Sequence, residues 1–345
     1  MTPPPSPRPP KRRWPTRLAW TLLILGGLGA ALVVDVYNAL ERLGPRDARS
    51  LAADPVGPDL ATLRQTFQTE LRLPAAPPER PPTPPEGTVE LVRYPAPLGE
   101  NLAWVTPPRE QAPGPAIVWI IGGFDFGLGD TPWRPAPRRN DQSARAFREA
   151  GIVTMYPSLR GFMGNPGARE CFYGEVDDIL AAARWLATRP DVDPKRVYVG
   201  GHSTGGTLAL LAVESGDLFR GAVALGPTDD PRGYDECIGW EVEGLEAQVR
   251  APVEHIDRVL APTVIFEGEH GNADAARNLA RWAGEAPVQV HVFGGFDHFD
   301  LVAPATEAAA AAIRADRGVE PGLHVPPAEV LRHAGRSPPP APPKK

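Results

Sequence analysis

Cysteine is nearly missing from this chain: Cys171 and Cys237 are the only two in 345 residues. That excludes a fold stapled by many disulfides and any cysteine-rich zinc site. The close His/Asp/Glu spacings of metal motifs are missing too, so neither a metal nor a cofactor is expected. A positive excess is also lacking. The net charge is −6, which argues against a nucleic-acid partner held by phosphate contacts. Proline, by contrast, is abundant: 44 residues, about 13% against the usual ~5%. Much of the excess falls in 1–15, 74–86 and 336–345, which excludes one uniform globular block. Hydrophobic residues at 42% and charged residues at 23% leave the middle of the chain enough apolar material for a core.

The charge is unevenly placed. Arg8, Lys11, Arg12, Arg13 and Arg17 make the first 17 residues basic without a single acid. Leu18 to Val34 then reads LAWTLLILGGLGAALVV, with no charge before Asp35. This length is at the short end for a membrane-spanning helix. Trp14 and Trp20 sit near the edge where indole rings favour the interface. The basic flank should stay in the cytoplasm and send the rest outside. A cleaved signal segment is the alternative, with small residues Gly29-Ala30-Ala31 near the cleavage position. Both readings export the body of the protein.

The composition divides the chain into a basic Pro-rich tail (1–17), the apolar segment (18–36), a helical and Pro-rich linker (37–86), a main domain (87–322) and a Pro-rich tail (323–345). Within the linker, Leu60, Leu63, Phe67 and Leu71 lie near helical spacing. Seven prolines between Pro74 and Pro85 form a stiff spacer. In the main domain, candidate strands are 88–94, 101–106, 116–121, 152–156, 196–200, 221–225, 263–267 and 288–293. Candidate helices are 141–150, 174–188, 204–215, 273–283 and 304–315. The first two strands follow each other directly, as in an antiparallel pair. The later ones alternate with helices, and several are almost wholly apolar. That pattern predicts an α/β fold with a mainly parallel eight-stranded sheet covered by helices on both faces.

The sharpest local signal is Gly201-His202-Ser203-Thr204-Gly205-Gly206, lying between the strand RVYVG and the helical run TLALLAVES. A serine at a strand–turn–helix corner is held in a strained conformation with its hydroxyl raised above the sheet's carboxyl edge. The glycines two before and two after it let strand and helix approach closely. Ser203 is therefore the candidate nucleophile, and such a serine needs a base. His298 fills that role, in GGFDHFD after the last predicted strand. His202 neighbours the serine but should point elsewhere, His291 sits in a strand, His255 lies between strands and His270 near the acid loop.

The acid should follow the strand PTVIFEG. The position three residues after Gly268 is Gly271, so no aspartate stands there. Glu269, with its longer arm, is the first candidate; Asp274 and Asp229 or Asp230 are the alternatives. Two backbone N–H groups should receive the oxyanion: that of Thr204, and that of Phe124 after Gly122-Gly123.

These residues bring a family into view. From about 87 to 322 the chain resembles the α/β-hydrolase superfamily, and within it the prolyl oligopeptidase catalytic-domain and dienelactone-hydrolase-like group. The pieces that carry the resemblance are IIGGF, YPSLRGFMGNPG, EVDDILAAARWLATRPDVDPKRVYVGGHSTGG, APTVIFEGE and GGFDHF. The resemblance implies a serine hydrolase working through an acyl-enzyme, with Ser203 as nucleophile and His298 as general base, on a small ester or a peptide. Prolyl oligopeptidases carry a large β-propeller ahead of this domain; here about 50 residues separate the apolar segment from it. The usual acid position is also altered. Both departures favour an esterase or general acyl hydrolase over a peptidase.

Loop 124–140, with Phe124, Phe126 and Trp133, should line the substrate site, and 227–258 is long enough for a short lid. Arg138-Arg139 reads as a solvated loop pair, with binding of an acidic substrate group as the alternative. Cys171 and Cys237 both fall on loops at the sheet's carboxyl edge, where export permits a disulfide and two free thiols are the alternative. A non-catalytic, membrane-anchored binding domain of the same fold is the competing function. The two differ in whether a carboxylate reaches His298.

Overall fold

The computed structural model describes residues 59–336, except 109, 111, 112 and 235. The basic tail and apolar segment expected over 1–36, the first part of the linker and the last residues of the C-terminal tail lie outside the described residues. Among the described residues no helix is long and apolar enough to cross a membrane.

Eight strands form one sheet: β1 (Glu90–Ala96), β2 (Gly99–Val105), β3 (Gly114–Ile120), β4 (Val153–Pro157), β5 (Val192–His202), β6 (Gly221–Leu225), β7 (Thr263–His270) and β8 (Val288–Asp297). Their order is β1-β2-β4-β3-β5-β6-β7-β8. The β1–β2 and β2–β4 pairings are antiparallel and all others parallel. The predicted α/β architecture is therefore present, strand for strand.

The helices are α1 (Leu60–Thr66), α2 (Arg145–Glu149), α3 (Gly174–Leu186), α4 (Thr204–Glu214), α5 (Gly244–Gln248), α6 (Ala273–Trp282), α7 (Val302–Ala315) and α8 (Pro327–His333). The strand pleat explains the two cores. Ala116, Val118 and Ile120 of β3 enter one apolar cluster with α3 and α4 residues, while Ile117 and Trp119 enter the other with α7 residues. A strand buried on both faces has no polar side to show, so it reads as a continuous apolar run.

Two expectations on boundaries need revision. The expected helical part of the linker, 59–73, packs on the domain rather than standing apart from it. Leu60 and Leu63 are buried in the main core, Arg64 pairs with Asp177 at 2.7 Å, and Leu73 bridges to Arg169. At the other end, Leu323, Val325 and Val330 are buried, so the domain continues through α8. Buried Arg–carboxylate pairs fix the frame elsewhere: Arg160 donates to Asp178 at 2.9 and 3.0 Å, and Arg220 donates to Asp316 at 2.7 and 2.9 Å. Such bidentate pairs specify orientation more than they add stability.

Candidate active site

The corner between β5 and α4 explains its own glycines. A Cβ on Gly205 would lie 2.2 Å from the carbonyl oxygen of Ile120, and one on Gly201 would lie 2.4 Å from the oxygen of Gly205. Nothing but glycine fits either position. Ser203, between them, has φ 55° and ψ −120°, a conformation a side-chain-bearing residue adopts only under strain. Its amide donates to Leu225 at the end of β6 (2.7 Å), and its carbonyl accepts from the amide of Thr207 (3.0 Å). The hydroxyl is thus set at the sheet's carboxyl edge, at the head of a buried helix.

His298 follows β8. Its Nδ1 lies 3.1 Å from Oε2 of Glu267. Glu267 is 1% exposed and is fixed by two further donors, the amides of Gly268 (2.6 Å) and Asn272 (2.8 Å). The carboxylate can only accept at Nδ1, so that nitrogen carries the proton and Nε2 keeps a lone pair for a partner. Room for the imidazole comes from Gly226, at φ +57°, where a Cβ would lie 2.5 Å from Cε1 of His298. Gly226 directly follows Leu225, which holds the Ser203 amide, so both residues are anchored at the end of the same strand, β6.

The carboxylate on His298 is therefore Glu267, and the expected acid, Glu269, is elsewhere. Glu269 accepts from the amide of Gly295 at 3.1 Å on the surface. The alternatives are equally engaged: Asp274 pairs with Arg277 and is fully exposed, Asp229 accepts from Asn278 at 2.5 Å, and Asp230 pairs with Arg232. The physical reason is the length of β7. Its pairing continues past Glu267 to His270, with a register shift after Gly268, so the residue expected in the loop is still on the strand. Starting from the strand itself, the extra methylene of a glutamate spans the gap that an aspartate would cross from the loop. The missed signal was the acid before Gly268 rather than after it.

The two expected oxyanion donors lie on adjoining segments. The Thr204 hydroxyl donates to the carbonyl of Gly123, the Gly122 amide donates to Gln142 at 2.6 Å, and Gly123 sits at φ +105°. These bonds pin the loop around Gly122 and Gly123, next to the expected donors Phe124 and Thr204. Tyr234, which the sequence did not single out, also belongs here. Its ring packs edge-on against Phe124 at 5.3 Å and stacks on Phe172 at 5.7 Å. Burial raises its pKa, against the opposing effect of the Thr207 and Ser203 hydroxyls beside it.

Cys171 and Cys237 are joined in a disulfide, which clamps the Phe172 wall to the segment bearing Tyr234. Phe124, Phe126, Phe162 and Phe172 line a small cavity of about 20 Å³ against that bridge. Of the other expected loop residues, Trp133 packs on Trp104 at 5.3 Å, Arg138 pairs with Glu307, and Arg139 pairs with Asp297 and Asp300. Among the described residues no cluster of His, Cys, Asp and Glu could hold a metal ion.

A strained serine at a strand–helix corner, a histidine after the last strand and a buried carboxylate, on a mainly parallel eight-stranded sheet, are arranged as in the α/β-hydrolase fold. Within it, the profile of the prolyl oligopeptidase family matches residues 140–284, a stretch that includes Ser203 and Glu267 and stops short of His298. The chain is 30% identical over 138 residues to the uncharacterized peptidase YtmA of Bacillus subtilis, covering 36% of this chain and 53% of that one. It is 37% identical over 172 residues to a probable dipeptidyl-aminopeptidase B of Metarhizium robertsii, covering 43% of this chain and 18% of that one. The chain thus spans about half of the first relative and under a fifth of the second. Among solved structures it resembles a puromycin-hydrolyzing peptidase of Mycobacterium tuberculosis (TM-score 0.52, 24% identity, 69% of this chain and 42% of that one). It also resembles an esterase of Pyrobaculum calidifontis (TM-score 0.53, 19% identity, 74% of this chain and 88% of that one). At such identities these two likenesses speak for the fold.

Proposed function

We propose that the protein is a serine hydrolase that cleaves a small ester or amide, or a short peptide, through an acyl-enzyme. The observation that carries this reading is the hydrogen bond from half-buried His298 to buried Glu267, at the same sheet edge as a serine held in a strained corner. In the first step the Ser203 oxygen bonds to the substrate carbonyl carbon while its proton moves to Nε2 of His298. Glu267 steadies the imidazolium through Nδ1. The oxyanion takes hydrogen bonds from the amides of Phe124 and Thr204. The leaving group departs with the proton from His298, and water repeats the sequence on the acyl-enzyme.

The relatives named as peptidases and the esterase-like architecture both support hydrolysis at a carbonyl. The non-catalytic alternative draws on the unusual acid loop and the Pro-rich arms, and Glu267 supplies the carboxylate on His298 that it would lack. The apolar run at 18–34 and the Cys171–Cys237 disulfide together support a domain anchored at or exported across a membrane into an oxidising compartment.

The test is labelling of the full chain with a fluorophosphonate probe, beside Ser203→Ala and His298→Ala. Labelling of the wild type that is lost in both variants supports the reading. A folded wild type that does not label rejects it.

A further inference from the structure

His202, the residue before the nucleophile, is buried and takes no part in the steps above. Its ring lies 4.7 Å from that of His298 and 5.6 Å from that of Phe299. Its Nε2 is 3.0 Å from the backbone carbonyl of His298. A carbonyl can only accept, so Nε2 carries the proton and Nδ1 is bare. Among the described residues that buried Nδ1 has no hydrogen-bond partner. On the same side, a Cβ at Gly122 would lie 3.1 Å from Nδ1 and 2.7 Å from the His202 carbonyl oxygen. The first glycine of the oxyanion loop thus rests directly on this residue. His202 touches the strand bearing Ser203, the loop bearing His298 and the loop bearing Phe124.

A side chain of this size could be an aromatic filler, and then a hydrocarbon ring would serve and no polar atom would be buried. Instead the ring leaves one nitrogen unpaired, at a cost, and its one hydrogen bond goes to the main chain of the candidate base. We propose that His202 is a positioning residue, whose Nε2–H holds the His298 loop in register with the serine corner and the oxyanion loop. This rests on the reading of His298 as the general base. Burial, and secondarily the neighbouring His298, push the pKa of His202 down to about 4. His202 therefore stays neutral while His298 receives a proton, and two imidazolium rings never face each other.

The test compares His202→Phe, which keeps the ring and loses the donor, with His202→Gln, whose amide nitrogen can reach the place of Nε2. Fluorophosphonate labelling and amide hydrogen exchange of the segment 296–302 are measured on the full chain. The expected result is labelling roughly 10- to 100-fold slower in His202→Phe, the scale set by a small misplacement of a catalytic group. Exchange of the segment should be faster, and both effects should largely revert in His202→Gln. In the wild type, nitrogen chemical shifts should show His202 neutral and protonated at Nε2, a readout that needs no variant to fold. Unchanged labelling and exchange in His202→Phe, or an Nδ1-protonated His202, would overturn the proposal. A wild type that fails to label while exchange and tautomer follow expectation would reject the hydrolase reading and leave the anchoring role supported.

Discussion

At the scale of single residues, the site separates two glutamates that lie two positions apart in the chain. Glu267 is buried on His298 and Glu269 is outside. Glu267→Gln keeps the shape but lets the side chain donate where it must accept, which disturbs the imidazole's tautomer. A loss in kcat of about 10⁴-fold is expected by comparison with other triads. Glu269→Gln should leave kcat near the wild-type value, and steady-state kinetics on one ester substrate decide between them. Ser203 and His298 were legible because each is tied to a rigid corner of the chain, the serine to flanking glycines and the histidine to the last strand. The acid was not legible, since its identity depends on where β7 stops pairing, and periodicity locates a strand end only to within a few residues. Glu214 offers a second residue-scale case. It ends α4, is buried, and its carboxyl oxygens have no hydrogen-bond partner among the described residues. Burial raises its pKa well above the ordinary value. The folded state therefore holds a proton that the unfolded chain releases above its own pKa of about 4.3, so this group makes stability fall as pH rises from there toward the folded pKa. Glu214→Met should raise stability by about 1–3 kcal/mol at pH 7.5, with the gain shrinking near pH 4. Thermal melts at the two pH values check it; an equal effect at both would mean the carboxyl is not the cause.

At the scale of elements, the sheet was readable and the insertion between β6 and β7 was not. Val264, Ile265 and Phe266 each bury on one face or the other, and that two-sided burial writes itself into the sequence as an apolar run. The insertion is held by partners far away in the chain, which no local pattern reveals. Fully buried Arg250 donates from Nε to the Cys171 carbonyl (2.8 Å) and from Nη2 to Thr69 (2.6 Å), and the disulfide fastens the insertion to the loop before α3. Closing a loop between positions 66 apart destabilises the unfolded chain by about 4 kcal/mol in the entropic account. Cys237→Ser should lower thermal stability on that scale. It should also raise KM more than it lowers kcat, because Phe172 and Tyr234 form a wall beside Ser203 while Glu267 lies on β7 and His298 just after β8. Reduction of the wild type should reproduce the variant's kinetics, and unchanged KM in both would separate the bridge from the substrate site.

At the scale of the whole molecule, the question is which residues the folded unit needs. Proline-rich composition argued for a spacer over 74–86, and on prolines alone that inference is sound. What sequence-local rules do not see is that the stretch just before it, up to Pro74, docks on the domain. Leu60 and Leu63 fill the core beside α3, Arg64 reaches Asp177, Arg169 donates to the carbonyl of Pro74 at 2.8 Å, and the Thr69 hydroxyl sits between Glu246 and Arg250. Each buried leucine side chain is worth about 1.5–3 kcal/mol, and cutting away Thr69 also strips an acceptor from a buried guanidinium. Against a typical total stability of about 5–15 kcal/mol, removal of this segment is a large fraction. A chain beginning at Asp59 should therefore melt and label with fluorophosphonate like the full protein, whereas one beginning at Gly87 should melt far lower. Equal melting of the two would show that 59–86 rides on the surface without supporting it. The expected difference follows from where the segment's contacts end: on α3, on the Cys171 loop and on the insertion, the same three pieces that shape the wall beside Ser203.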